Sequence, residues 1–387
     1  MKKNTAGKKT IGMGKVFFFA VAAGLLILSG FNFLCGFIAK DQYIALDPVD
    51  KTTAGTTPGY FYPNQNKLLL FPGIEPYRVR IDSNGFRNVG VDSGPFLGAG
   101  DFMKILCLGD SFTSGPLDDE DTYPYRLQTL ISRSKRKAIV LNAAAGGASL
   151  PDYLYYLKEK GLALRPDVIV LNFACNDVVE IGSRDTPLYK KMIEDSAFSI
   201  SRTLKKMKMM RMMRRFEMAH RYRRWMRKMN DPRRRRICEQ DSKDLEDILY
   251  VAGEYHGPIV KNPHGKELAA QWSDFFLLLE EMIDLLRSKN VAFLYVLCPD
   301  IYTLFDRGQG YYQDILIDFL ESKGVDYIDL RPVFKPRRKE FLELYRHLPR
   351  DFHLSGEGNQ IFAEEVFKKL FGILPERAQG ELPGRSR

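Results

Sequence analysis

The sequence predicts an α/β fold: a three-layer α/β/α domain around a central parallel five-stranded sheet, preceded by one N-terminal transmembrane helix. Three observations predict it. From about residue 101, short continuous apolar runs alternate with amphipathic helical stretches, the pattern of a parallel sheet covered on both faces. Most of these runs end in a loop rich in glycine, serine, asparagine or aspartate. Ahead of them, residues 16–39 (VFFFAVAAGLLILSGFNFLCGFIA) form an uncharged apolar run long enough to cross a bilayer as a helix.

The N-terminal stub, residues 1–15, carries Lys2, Lys3, Lys8, Lys9 and Lys15 and no acid, which places it in the cytoplasm and the remainder outside. A cleaved signal peptide is the rival reading. Its apolar core is normally shorter, and the run lacks a small-x-small cleavage pattern at its end. Cys35 follows Leu34, which disfavours a lipoprotein signal. Residues 40–100 read as a linker and a small β-element: Thr-Thr-Ala-Gly-Thr-Thr-Pro-Gly (52–59) is a spacer, and KLLLF and YRVRI are short strands separated by Pro-Gly. Arg80 and Arg87 flank the turn Ser83-Asn84-Gly85 and read as exposed turn arginines.

The main domain spans residues 101–373. Its strands are expected at 103–108, 138–141, 167–173, 291–297 and 325–330. Helices are expected at 121–135 with Leu127, Leu130 and Ile131 on one face, from Ser149-Leu150-Pro151 onward, at 267–287 and at 313–322. Residues 340–346 read as helical too, and Ser355-Gly356-Glu357-Gly358 opens a last helix ending near Phe371. The tail, 374–387, is rich in Pro, Gly and Arg and reads as disordered.

Charge is distributed unevenly. The chain carries a net charge of +10, yet between Arg202 and Arg236 sixteen Lys or Arg face two acids, so the remainder is slightly acidic. Within this helical insertion, about 200–240, Met209, Met212, Phe216, Ala219, Tyr222, Met226 and Met229 recur at spacings of three or four as one apolar stripe. Three readings stay open: the stripe packs on the domain, the basic helix 202–236 lies on anionic headgroups, or it meets an anionic polymer such as a polysaccharide. Export disfavours nucleic acid. The cysteines Cys35, Cys107, Cys175, Cys238 and Cys298 are scattered, with neither metal-ligand spacing nor a disulfide framework.

Four loops carry chemistry. The run Lys104–Leu108 leads into Gly109-Asp110-Ser111, which is either a helix-capping turn or a nucleophile turn. After the second run come Asn142 to Ser149, all small residues that let backbone amides approach a ligand. The third ends in Ala174-Cys175-Asn176-Asp177, and past the fifth lies Arg350-Asp351-Phe352-His353-Leu354-Ser355. In a parallel sheet these loops emerge on one edge and can face one another.

With these blocks, in this order, the chain resembles the SGNH (GDSL-type) hydrolases, from about Tyr77 to Phe371 excluding the insertion. The stretch Arg80–Arg87 also resembles a segment upstream of the serine in some members. The resemblance implies a flavodoxin-like sheet with Ser111 as nucleophile, His353 as general base and then acid, and Asp351 orienting the imidazole. The oxyanion hole would be the N–H groups of Ser111 and Gly147 and the side chain of Asn176. Gly147 and Asn176 also have a plainer reading as turn residues. Two departures stand out: Ala174 where a glycine is frequent, and the acid two residues before the histidine rather than three. His220, His256, His264 and His347 read as non-catalytic, His256 and His264 in loop-like segments. The implied function is a serine esterase acting on a carboxylic (O-acyl or O-acetyl) ester of a small molecule or polysaccharide outside the cytoplasm, with no cofactor or metal. An O-acyltransferase using the same acyl-enzyme and a non-catalytic anchored binding module are the alternatives.

Overall fold

Four apolar runs become parallel strands buried over most of their length on both faces, which leaves no polar alternation to interrupt them, while the fifth strand, Asp326–Asp329 at the sheet edge, is only partly buried. The computed structural model describes residues 58–69, 74–98, 101–179, 181 and 231–372. The expected stub 1–15, transmembrane run 16–39, Met-lined stripe 209–229 and tail 374–387 lie outside the described residues. Among the described residues no helix is long and apolar enough to cross a membrane.

A hairpin opens the described chain, β1 (Gln65–Leu69) pairing antiparallel with β2 (Tyr77–Ile81) in the register Gln65↔Ile81 to Leu69↔Tyr77. The main sheet follows: β3 (Met103–Leu108), β4 (Ala138–Asn142), β5 (Val168–Phe173), β6 (Ala292–Leu297) and β7 (Asp326–Asp329). Its order is β4-β3-β5-β6-β7, with every pair parallel. β7 is shorter than the expected 325–330 because Val325 closes the preceding helix through Leu320.

The helices that matter below are α1 (Ser111–Ser114), α2 (Tyr123–Arg133), α3 (Leu150–Glu159), α4 (Asn176–Val179), α5 (Pro232–Glu239), α6 (Leu245–His256), α7 (Ala269–Ser288), α8 (Tyr312–Ser322) and α9 (Gly356–Phe371). Alternate strand residues enter two cores. Leu106, Leu108, Ile139, Leu141, Ile169, Leu171 and Tyr295 pack with α3, α7 and α8 on one face. Ile105, Cys107, Val140, Val168, Val170 and Leu294 pack with α2, α6 and α9 on the other. Each such aliphatic side chain contributes about 1.5–3 kcal/mol through removal from water. Four of the five cysteines, Cys107, Cys175, Cys238 and Cys298, are free and buried in these layers. The expected helix at 340–346 is corrected: a 3-10 stretch (Lys335–Glu340) leads into only one α-turn (Phe341–Leu344). Tyr345 then extends to bridge Leu354, and His347 turns with φ 54°.

The strand order reverses direction beside β3, whose neighbours are β4 on one side and β5 on the other. A crevice opens at the carboxyl ends of strands at such a switch point. The segment before β3 is packed onto this domain. Tyr60 stacks on Tyr156 of α3 at 4.6 Å, and the Tyr156 hydroxyl donates to the Pro58 carbonyl at 2.8 Å. The reading of Arg87 as an exposed turn arginine fails: its side chain is buried against Asp119, itself buried. Arg80, partly exposed, pairs with the same aspartate and with Glu120.

The loop between Leu354 and α9 is tied to α2 by buried Asn359. Its carbonyl accepts from the Tyr123 N–H at 3.0 Å, and its amide donates to the carbonyls of Leu354 and Ser355. Asn359→Leu keeps the volume and orphans these partners, so it should lower the unfolding free energy by about 1–3 kcal/mol in urea melts. An unchanged midpoint would mean that this tie carries no stability.

Candidate active site

The nucleophile turn is shaped by Gly109. Its φ is 150°, and a Cβ placed there would stand 2.0 Å from Thr113 Oγ1, so only glycine fits between β3 and α1. Asp110 is the N-cap of α1: its carboxylate accepts from the Phe112 N–H at 2.8 Å. Ser111 is the first residue of that helix.

Beside it lies the loop after β4. Ala143 N–H donates to the Cys107 carbonyl and Ala145 N–H to the Gly109 carbonyl, at 3.0 and 3.1 Å, which holds the loop against the serine turn. Gly147 adopts φ 79°, and a Cβ there would meet nothing within 4 Å, so its backbone faces open space. The loop ends in a capping box of Ser149 and Asp152 that starts α3. After β5, Asn176 donates through its side-chain nitrogen to Asp110 Oδ2 at 3.2 Å. Asp177 accepts from the Ala174 N–H, also at 3.2 Å. Ala174 takes no positive φ, so its methyl sits where glycine is frequent without left-handed backbone.

The histidine loop is pinned at both flanks: Arg346 N–H donates to the His353 carbonyl and Ser355 N–H to the Leu344 carbonyl. His353 Nε2 lies 2.7 Å from Ser111 Oγ, and its Nδ1 meets buried Asp351 Oδ1 in an ion-pair hydrogen bond. The same carboxylate oxygen accepts the His353 backbone N–H at 3.1 Å. With Nδ1–H directed at a carboxylate, the neutral ring presents Nε2 as an acceptor for the serine hydroxyl. Phe112 packs against the imidazole, ring centres 4.6 Å apart.

Ser111, Gly147, Asn176, Asp351 and His353, all singled out from sequence, thus line one cavity of about 350 Å³. Val179, Phe352 and His256 complete its wall. His256 corrects the reading of a loop histidine. It ends helix α6, is buried, and places Nδ1 3.0 Å from Cys175 Sγ. Its only sequence signal is a position after the insertion, which says nothing of a cavity whose other walls come from distant segments on both sides of it in the chain. His220 lies outside the described residues, while His264 and His347 do not line the cavity. Among the described residues no group of three His, Cys, Asp or Glu side chains is arranged to hold a metal ion.

Electrostatics separates the two cavity histidines. Burial of the His353 ring favours its neutral form, but the Asp351 charge and hydrogen bond, reinforced by Asp110, prevail and hold it above its ordinary value. Burial likewise opposes the Asp351 charge; His353 outweighs it and holds the carboxyl below the usual range. Asp110 is pushed up by burial, only partly offset by the Phe112 N–H, His353 and Asn176. His256 is pulled down to about 4 by burial, against the attraction of Asp300.

A model of the GDSL-like lipase/acylhydrolase family matches residues 107–361, about two thirds of the chain. The chain belongs to that family. The GDSL chain is therefore a hydrolase of carboxylic esters. Similar solved structures include the acetyl xylan esterase AlAXEase, 17% identical over 70% of this chain and 100% of its own, with a TM-score of 0.41. The acetylxylan esterase Axe2 from Geobacillus stearothermophilus is 15% identical over 75% of this chain and 99% of its own, TM-score 0.37. The psychrotrophic esterase EstA from Pseudoalteromonas sp. is 12% identical over 69% of this chain and 96% of its own, TM-score 0.36. No curated protein matches the sequence.

The two imidazoles of the GDSL chain should titrate apart. In an NMR pH titration His353 is expected above the free-imidazole value of about 6.5 and His256 well below it. Asp351→Asn should remove the raising influence and bring His353 down. Coincident titration of the two rings near the free value would contradict the burial and pairing described.

Proposed function

We propose that the GDSL chain hydrolyses an O-acyl ester, such as an acetyl ester on a small molecule or polysaccharide, through an acyl-enzyme on Ser111. The observation that carries this reading is the 2.7 Å contact between Ser111 Oγ and His353 Nε2, with Asp351 behind the ring. Serine is a weak nucleophile until a base takes its proton in the transition state, an effect worth about 10²–10⁴-fold. Ser111 Oγ bonds to the carbonyl carbon while its proton passes to Nε2. The carbonyl electrons move onto oxygen, and the imidazolium that forms is stabilised by the Asp351 carboxylate.

The oxyanion is received by the N–H groups of Ser111 and Gly147 and by Asn176. The side-chain nitrogen of Asn176 carries two hydrogens; one is committed to Asp110, and the second remains for the substrate oxygen. Collapse of the intermediate breaks the bond to the alcohol oxygen, which takes the Nε2 proton as it leaves. A water then repeats the sequence: His353 removes its proton, its oxygen attacks the acyl carbon, and Ser111 Oγ departs reprotonated with release of the carboxylic acid.

Residues 16–39 would anchor this domain on the extracytoplasmic face, a reading supported by the lysines that precede the run. The segment 202–236, with its strong excess of cations, supports contact with an anionic surface or polymer beside the domain.

Ser111→Ala and Asn176→Ala, assayed with p-nitrophenyl acetate, test these roles. Ser111→Ala should reduce turnover to background with unchanged unfolding; undiminished turnover would remove Ser111 as nucleophile. Asn176→Ala should lower kcat by about 10²–10³-fold. A change confined to KM would assign Asn176 to ground-state binding instead.

A further inference from the structure

Arg87 belongs to the segment ahead of the catalytic sheet and does not line the cavity, yet each of the three nitrogens of its guanidinium donates to the nucleophile side of the site. Nε donates to Asp119 Oδ1 at 2.9 Å, Nη1 to the Gly115 carbonyl at 2.9 Å and Nη2 to the Leu117 carbonyl at 2.5 Å. Arginine and partner are 3% and 0% exposed. Asp119 is held in turn: its other oxygen accepts from the backbone N–H and the Nε of Arg80.

The place of these contacts gives them meaning. Gly115 is the C-cap of α1, and its N–H donates to the Ser111 carbonyl at 2.8 Å. The guanidinium therefore fixes the residue that closes the turn begun by the nucleophile. The backbone N–H of Arg87 donates to the Asn142 carbonyl at 3.1 Å. Asn142 ends β4 and starts the loop that carries Gly147. One residue thus spans the two pieces of chain whose separation sets the distance between attacking oxygen and oxyanion donor.

We propose that Arg87, anchored by Asp119, is a positioning residue for ester hydrolysis: it holds the Ser111 turn and the 142–148 loop at the spacing the transition state requires. This inference rests on the reading of Ser111 as nucleophile. A planar fork with donors in three directions is what the site uses, and a lysine cannot reproduce it. Misplacement of reacting groups by about 1 Å costs on the order of 10²-fold in rate.

The test is Arg87→Lys in the full chain, with kcat expressed per site that reacts to completion with a fluorophosphonate. The expected result is a fall in kcat of about 10–100-fold with KM within about threefold, in protein that is folded at the assay temperature. A lowered melting temperature with unchanged kcat per reactive site would mean that Arg87 serves stability only, and would overturn the proposal. If Arg87→Lys does not fold, Asp119→Asn, which keeps shape and removes the anchoring charge, should lower kcat per reactive site in the same direction. An unchanged value would overturn it equally. Ser111→Ala run alongside separates the two ideas: retained labelling or turnover in that variant defeats the nucleophile reading, whatever Arg87→Lys does.

Discussion

A hydroxyl and an imidazole that stand 242 positions apart in the chain meet at 2.7 Å, and the rest of the site is arranged around that contact. Neither group has intrinsic reason to be there. The serine is delivered by β3 and a glycine that alone can make the turn; the histidine is delivered by a loop pinned between Leu344 and Ser355. What makes the meeting possible is the parallel sheet, since strands that all run the same way bring their carboxyl ends to one edge. A buried carboxylate behind the ring then fixes which nitrogen faces the serine.

Burial disfavours the charged form of both cavity histidines, but it prevails at only one of them. At His353 the cost of desolvation is exceeded by Asp351 and Asp110, so the ring keeps an affinity for the proton that it must accept in transit. At His256 burial outweighs the attraction of Asp300, and the ring is held toward its neutral form beside the Cys175 thiol. Two residues of one type on one wall therefore carry different charge behaviour, set by their neighbours alone.

Much of the sheet was legible because strands buried on both faces are written as unbroken apolar runs, such as Ile105–Leu108 and Val168–Leu171. The order β4-β3-β5-β6-β7 was not written in any local pattern, since it depends on pairings between distant segments. The site residues were legible as three short blocks at strand ends and a fourth well past the last strand, together with a family resemblance. Arg87 was misread because a charged residue after a Gly turn has every local mark of exposure; its burial depends on Asp119, 32 positions later. The helix expected at 340–346 was cut short because Tyr345 pairs with Leu354, a contact that outweighs local propensity. Nothing local marked His256 as a wall of the cavity, because that role is created by the way α6 packs.

The most direct measurement is peptide mapping by mass spectrometry after reaction of the intact protein with a fluorophosphonate. A single adduct is expected, on Ser111, with its formation slowed strongly by His353→Ala. An adduct on another residue, or labelling of Ser111 at an unchanged rate without the imidazole, would contradict it.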